Sequence, residues 1–77
     1  MDHDLFETYV VLCETGSITK TAELLYKTQP AISARIQQLE NELGCTLVHR
    51  EKGKKNIILT PRGEAFLKTA QKFIEHY

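Results

Sequence analysis

Along the 77-residue chain, the stretch from Pro30 to Asn41 places small and uncharged polar groups where a soluble helix normally carries charge. At about 100° per residue, Pro30, Ala31, Ala34, Gln37, Gln38 and Asn41 fall on one face, with Ser33 on one edge and Arg35 on the other. Nothing on that face is both bulky and negative before Glu40 and Glu42. These groups recognise hydrogen-bonding edges; they do not break bonds. A Gln amide offers a donor and an acceptor together to adenine, a hydroxyl reaches a base or a phosphate, and an Ala methyl packs on a thymine methyl. Small side chains let the backbone come close to the bases. The competing reading is an ordinary helical hairpin with a solvated face.

Two helices around a tight turn are needed to present that face. The first is expected to follow Ser17, whose hydroxyl caps it, and to run to about Leu25, with Ile18, Ala22 and Leu25 on its apolar side. The second opens at Thr28 as N-cap, takes Pro30 in its first turn and ends at Leu43 before Gly44 as a left-handed C′ residue. Its buried stripe is Ile32, Ile36, Leu39 and Leu43. Upstream, Leu5, Phe6, Tyr9, Val10 and Cys13 mark one face of a helix over about 4–15, ended by Gly16, which supplies a third wall of the core. This is the pattern of a helix-turn-helix, in which the second helix enters the major groove and the first lies across the backbone.

Downstream, 47–50 and 56–60 are short β-prone segments joined by Glu51, Lys52, Gly53, Lys54 and Lys55, a hairpin with a basic tip. A basic tip can be a solvated turn; after a helix-turn-helix it reads as a wing lying on phosphates or in the minor groove. Thr60 as N-cap and Pro61 at the first helical position then start a last helix. Phe66, Ala70, Phe73 and Tyr77 form one stripe on it, with Leu67 and Ile74 about 100° round. Both stripes cannot be buried on one small core, so one is expected inside and the other against a second copy, giving a weak dimer. The pattern still runs at Tyr77, as in a chain cut inside a helix.

The formal net charge is zero, unlike most nucleic-acid binders, but it is unevenly spread. Met1 to Gly16 holds four acids and no Lys or Arg, whereas Ser17 to Arg62 holds eight bases against four acids, a balance of +4. No apolar run is long enough for a membrane span and the N-terminus lacks signal-peptide character, so a cytoplasmic location is expected. Cys13 and Cys45 show no metal-ligand spacing and read as packing residues; no metal and no cofactor is expected. His3, His49 and His76 are scattered and no Gly-rich phosphate loop exists, so no catalytic set is expected and the chain is not read as an enzyme.

Gly16-Ser17, Ala22, Leu25, Gln29-Pro30-Ala31, Ser33, Ile36, Leu39-Glu40, Leu43-Gly44, Leu47, Arg50, Leu59-Thr60 and Gly63 together resemble the N-terminal winged helix-turn-helix of LysR-type transcriptional regulators. The similarity runs over essentially the whole chain. It implies a mainly α fold, a winged helix-turn-helix with a three-helix core, a two-stranded wing and a C-terminal linker helix. The domain would occupy 1–60, with 61–77 the start of the linker and dimerisation helix and the effector domain absent. The function implied is sequence-specific binding of double-stranded DNA in transcription regulation, by a recognition helix at about 28–43 and a basic wing at 51–55.

Carried over by position, the resemblance puts Gln29, Pro30, Ser33 and Arg35 at or near the major groove, Thr19 and Thr28 near phosphates, and Arg50, Lys52, Lys54 and Lys55 on the wing. It further implies a homodimer through 61–77, a tetramer in a full-length protein, and a small-molecule coinducer bound by the absent domain. Thr21 stands where the family usually has the first of two alanines, Tyr9 where Phe is common, and Val48 where Phe usually follows Leu. Many members carry Arg or Lys at position 34; here Ala34 precedes Arg35, a 100° shift that leaves Arg35 with no particular base. Two rival functions are a winged domain used for protein contact, against which the basic wing argues, and an enzyme, for which no catalytic set is found; within DNA binders, molybdate-responsive regulators carry a similar winged domain.

Overall fold

The computed structural model describes residues 2–50 and 56–74. Four helices and a two-stranded antiparallel sheet follow one another: α1 His3–Thr15, α2 Ile18–Leu24, α3 Gln29–Leu43, β1 Val48–Arg50, β2 Ile57–Leu59 and α4 Pro61–Phe73. This is a winged helix-turn-helix, as expected, and each helix boundary has a local cause. Ser17, Thr28 and Thr60 have extended backbones, and their side-chain oxygens accept from the amides of Lys20, Ala31 and Gly63. Gly44, at φ 70°, ends α3 in the left-handed region and donates its N–H to the Glu40 carbonyl at 2.8 Å. Asp2, not singled out from sequence, caps α1 by accepting from Leu5 N at 3.1 Å.

α1 departs from the single-faced helix expected. Leu5, Phe6, Thr8, Tyr9, Val10, Val11 and Leu12 are all buried, nearly the whole circumference, because α2, α3 and α4 all pack against it. The remaining core comes from Ile18, Ala22, Ile32, Ile36, Leu39, Leu47, Ala70 and Ile74. Polar groups taken inside are matched. Thr21 is fully buried, yet its hydroxyl donates to the Ser17 carbonyl at 2.8 Å and lies 2.8 Å from the Thr15 hydroxyl.

Tyr9 and Gly63 lock α1 to α4. The Tyr9 hydroxyl donates to the Gly63 carbonyl at 2.6 Å, and Phe66 tilts over the Tyr9 ring at 5.5 Å between centroids. A Cβ at position 63 would overlap the Leu47 carbonyl oxygen and come within 2.9 Å of the Tyr9 hydroxyl, so only Gly admits this approach. Burial raises the Tyr9 phenol well above its ordinary range, helped by the neighbouring Cys13 thiol. Burial likewise pushes the Cys13 thiol up to about 11, against a hydrogen bond with Tyr9 that lowers it. Both cysteines are free and half-buried.

The two stripes expected on α4 are rearranged. Gly63, Ala70 and Ile74 are buried, Phe66 and Leu67 half-buried, and Phe73 is 60% exposed although its ring stacks on Phe6 at 4.6 Å. Ile74 therefore joins Ala70 of the other stripe in the core, and neither stripe is buried as a unit. The reason is spacing: Gly63, Ala70 and Ile74 lie within about 40° of one another round the helix, so they share one inward sector that cuts across both expected stripes. Tyr77, counted in the same stripe, lies outside the described residues.

The wing pairs Val48 with Leu59, His49 with Ile58 and Arg50 with Ile57. Ile57 N donates to the Gly16 carbonyl at 2.9 Å and Ser17 and Asn56 form a bridge, which tie the wing to the α1–α2 turn, while Thr60 N donates to the Leu47 carbonyl at 3.0 Å and closes the base of the hairpin. None of the described helices is long and apolar enough to cross a membrane.

Candidate nucleic-acid interface

One side of the molecule is formed by the outer face of α3 and the start of the wing. α3 buries Ile32, Ile36 and Leu39 and leaves Gln29, Pro30, Ala34, Gln37, Gln38 and Asn41 exposed, with Ala31 and Ser33 half-buried at the margin. Thr28 and Pro30 account for this end of the helix: the Thr28 hydroxyl accepts the Ala31 amide at 3.2 Å, and Pro30 occupies the first turn, where a missing N–H costs nothing. Pro30 and the small Ala31 and Ala34 leave the helix backbone close to its own surface. The polar face is self-ordered further along, where Gln37 Nε2 donates to Asn41 Oδ1 at 3.1 Å and Gln38 Nε2 to Glu42 Oε2 at 3.2 Å.

Ser33 and Arg50 are brought together. The Arg50 guanidinium donates to the Ser33 hydroxyl, joining the end of β1 to the middle of α3. Between these elements runs a cleft of about 210 Å³, lined by Ile18, Ser33, Ile36, Gln37, Glu40, Val48 and Arg50. The floor is apolar, and the rim carries an amide, a hydroxyl and a guanidinium.

Glu40 holds that cleft open at a fixed angle, and its role was missed from sequence. Its Oε2 accepts from Leu47 N at 2.7 Å and Val48 N at 3.2 Å. The carboxylate thus satisfies two backbone donors at the entry to β1 and fastens the wing to α3. What looked like a negative charge at the edge of the recognition face is a strut beneath it. An acid whose helical position turns it off the polar face, eight residues before a strand, was the available signal.

Arg35 is placed differently from the other candidates. It is half-buried, and its Nη1 donates to Thr8 Oγ1 of α1 at 3.2 Å, while the Thr8 hydroxyl donates onward to the Asp4 carbonyl at 2.7 Å. The chain Arg35, Thr8, Asp4 links α3 to the first turns of α1. Thr19 sits half-buried in the first turn of α2, behind the Ser17 cap. Thr28, Gln29 and Pro30 share the exposed start of α3. Lys52, Lys54 and Lys55, expected on the wing tip, lie outside the described residues.

Residues 3–64 match the family described as bacterial regulatory helix-turn-helix protein, lysR family. The HTH-type transcriptional regulator HdfR of Yersinia enterocolitica is 45% identical over 71 residues, which cover 92% of this chain and 24% of that protein. The chain therefore spans about a quarter of the length of the curated relatives it matches, 24% in each case. Among solved structures, the CbnR DNA-binding domain in its DNA complex superposes with a TM-score of 0.91 at 32% identity, over 97% of this chain and 84% of that one. DarR of Vibrio fischeri, also in complex with DNA, gives a TM-score of 0.89 at 38% identity, over 99% of this chain and 25% of that one. Sequence match, order of elements and superposition agree over nearly every described residue: the chain belongs to the LysR family of bacterial regulatory helix-turn-helix proteins.

Proposed function

We propose that the chain binds double-stranded DNA sequence-specifically as the winged helix-turn-helix of a LysR-type transcriptional regulator, with α3 in the major groove. The observation that carries this is the outer face of α3: exposed, free of bulky acids from Gln29 to Asn41 except the inward-engaged Glu40, and small enough at Pro30, Ala31 and Ala34 to approach base edges. Gln29 and Pro30 at the start of the helix and Ser33 at its edge meet the groove, and Thr19 and Thr28 meet phosphates. Arg50, with Lys52, Lys54 and Lys55, lies along the backbone or the minor groove. Arg35 joins from the edge by exchanging the Thr8 hydroxyl for an acceptor on DNA. The DNA complexes of CbnR and DarR support this reading by likeness.

We infer the rest of the assignment from likeness to the family. Residues 1–60 form the DNA-binding domain and 61–77 begin a linker helix through which two copies pair, Phe66, Leu67 and Phe73 being large apolar side chains that α4 leaves partly or largely exposed. A full-length protein forms a dimer or tetramer, takes a small-molecule coinducer in an effector domain outside this chain, works in the cytoplasm and catalyses no reaction.

Salt titration tests the reading. Each phosphate neutralised by Lys or Arg contributes about 0.9 to the fall of log K with log salt, so affinity for duplex DNA drops steeply as salt rises. Replacing Lys52, Lys54 and Lys55 together by Ala weakens binding to all sequences alike and flattens that slope. In contrast, Gln29→Ala costs about 1–3 kcal/mol on the cognate site and little on random DNA. Absence of binding at low salt, or equal losses on both DNAs for Gln29→Ala, rejects the assignment.

A further inference from the structure

Between α2 and α3 the chain turns over residues 25–28, and Tyr26 occupies the corner. The residue has φ 56°, the only described non-glycine in the left-handed region, where a bulky side chain costs about 1 kcal/mol or more. It is also 94% exposed, more than any other large hydrophobic residue described. Among the described residues no ring stacks on it and none bonds to its hydroxyl. The strain is not explained by packing, since the side chain packs on nothing.

The turn itself is firmly held. Tyr26 N donates to the Glu23 carbonyl at 3.3 Å and Lys27 N to the Ala22 carbonyl at 2.9 Å. Left-handed geometry at this corner therefore carries the ring outward, away from the core, in a fixed direction. Gly or Asn would make the same corner at lower cost.

We propose that Tyr26 is a DNA-contacting residue whose phenol hydroxyl donates to a backbone phosphate at the rim of the major groove while its ring lies against the adjoining deoxyribose. The inference rests on the DNA-binding reading above and deepens it. With α3 in the groove, the turn that leads into α3 rides at the groove edge, where the sugar-phosphate chain passes. Tyr side chains are among those that supply such backbone bonds. The residues around the ring fit this partner: Lys27, Thr28 and Gln29 follow directly, a basic and polar run. They fit a protein partner less well. Leu24, the last residue of α2, is the other large hydrophobic side chain exposed nearby, at 62%, and Leu25 in the turn is half-buried, so the exposed apolar surface falls far short of the roughly 800 Å² that each partner contributes to a stable protein interface.

The test uses the 77-residue chain and a mixed-sequence duplex, because a backbone contact carries no sequence information. Tyr26→Gly removes the side chain and suits the left-handed corner, so its melting curve stays cooperative; Tyr26→Phe removes the hydroxyl alone and leaves the ring. Tyr26→Gly weakens duplex binding about tenfold, the weight of a hydrogen bond to a charged group, and Tyr26→Phe loses a large part of the same factor. The slope of log K against log salt stays unchanged in both, because a neutral residue releases no counterion. Wild-type affinity in folded Tyr26→Gly overturns the proposal and leaves the turn to a protein partner, with the DNA-binding reading intact. Wild-type affinity in Tyr26→Phe overturns the phosphate bond. Failure of the wild-type chain to bind any duplex at low salt is a separate readout, and rejects the DNA-binding reading together with the contact.

Discussion

α1 and α3 are of similar length, 13 and 15 residues, and serve opposite ends. α1 buries seven of its residues on nearly all sides; α3 buries three, Ile32, Ile36 and Leu39, and leaves Gln29, Pro30, Ala34, Gln37, Gln38, Asn41 and Glu42 exposed. The helix at the centre of the fold touches no proposed ligand, and the helix proposed to read DNA contributes a single apolar seam to the core. Stability and recognition are thus carried by different helices, which leaves the exposed face of α3 free to vary in sequence at little cost to folding. Where the two helices meet through polar groups, at Arg35 and Thr8, the link is one hydrogen bond at 3.2 Å.

The contrast breaks most visibly under truncation. Leu12 is fully buried in α1, and Leu12→Ala should cost about 2–5 kcal/mol, from lost transfer energy plus the cavity left among α2, α3 and α4. Gln37→Ala on the exposed face of α3 should change stability by under about 0.5 kcal/mol, since only the Gln37–Asn41 bond is lost. Urea unfolding of both variants checks the division. Equal costs would show that the outer face of α3 is part of the stabilising structure after all.

A smaller effect is expected where α3 does carry structure. Glu40→Ala removes the acceptor for the amides of Leu47 and Val48, and Leu47 is almost wholly buried, so its N–H loses a partner that water cannot replace. The cost should be about 1–3 kcal/mol, with Glu40→Gln recovering part of it because one carbonyl oxygen remains. Thermal unfolding measures the loss. Amide exchange at Leu47 and Val48, faster in Glu40→Ala than in Glu40→Gln, locates it at the start of the wing.

The same contrast separates what could be read along the chain from what could not. The caps at Ser17, Thr28 and Thr60, Pro61 at the first position of α4 and the left-handed Gly44 were legible because each depends on residues within one turn of itself. The α3 seam of Ile32, Ile36 and Leu39 was legible from period alone. All-round burial of α1, Thr8 and Val11 included, was not, since it depends on α2, α3 and α4 all packing against this helix. The partners of Glu40, and the Thr8 hydroxyl that takes Arg35, lie 7 or more residues away in sequence. No local rule reaches that far. The inward face of α4 was misdrawn because Ala70 was grouped with Phe66 and Phe73 although Ile74, four residues on, shares its face, and Tyr26 drew no attention because an exposed aromatic in a turn has no periodicity to violate.

The smallest effect, absent at neutral pH, concerns ionisation inside α1. Burial raises the Cys13 thiol to about 11 from an ordinary value of 9.0, and raises the Tyr9 phenol as well, so the folded state favours the neutral form of both. The unfolded chain ionises first as pH climbs. Stability from these groups is therefore complete below about pH 9 and is lost progressively as pH rises toward about 11. The half-exposed surroundings of Cys13 and screening by water moderate the loss. Groups on the outer face of α3 contribute nothing to it, because Gln29, Ser33, Gln37, Gln38 and Asn41 do not titrate. Urea midpoints across this window should fall for the wild-type chain and fall less for Cys13→Ala, which has no thiol to ionise. A flat wild-type profile, or the same decline in Cys13→Ala, would mean that the Cys13 thiol is solvated in the folded protein and that α1 is less completely enclosed at its C-terminal end.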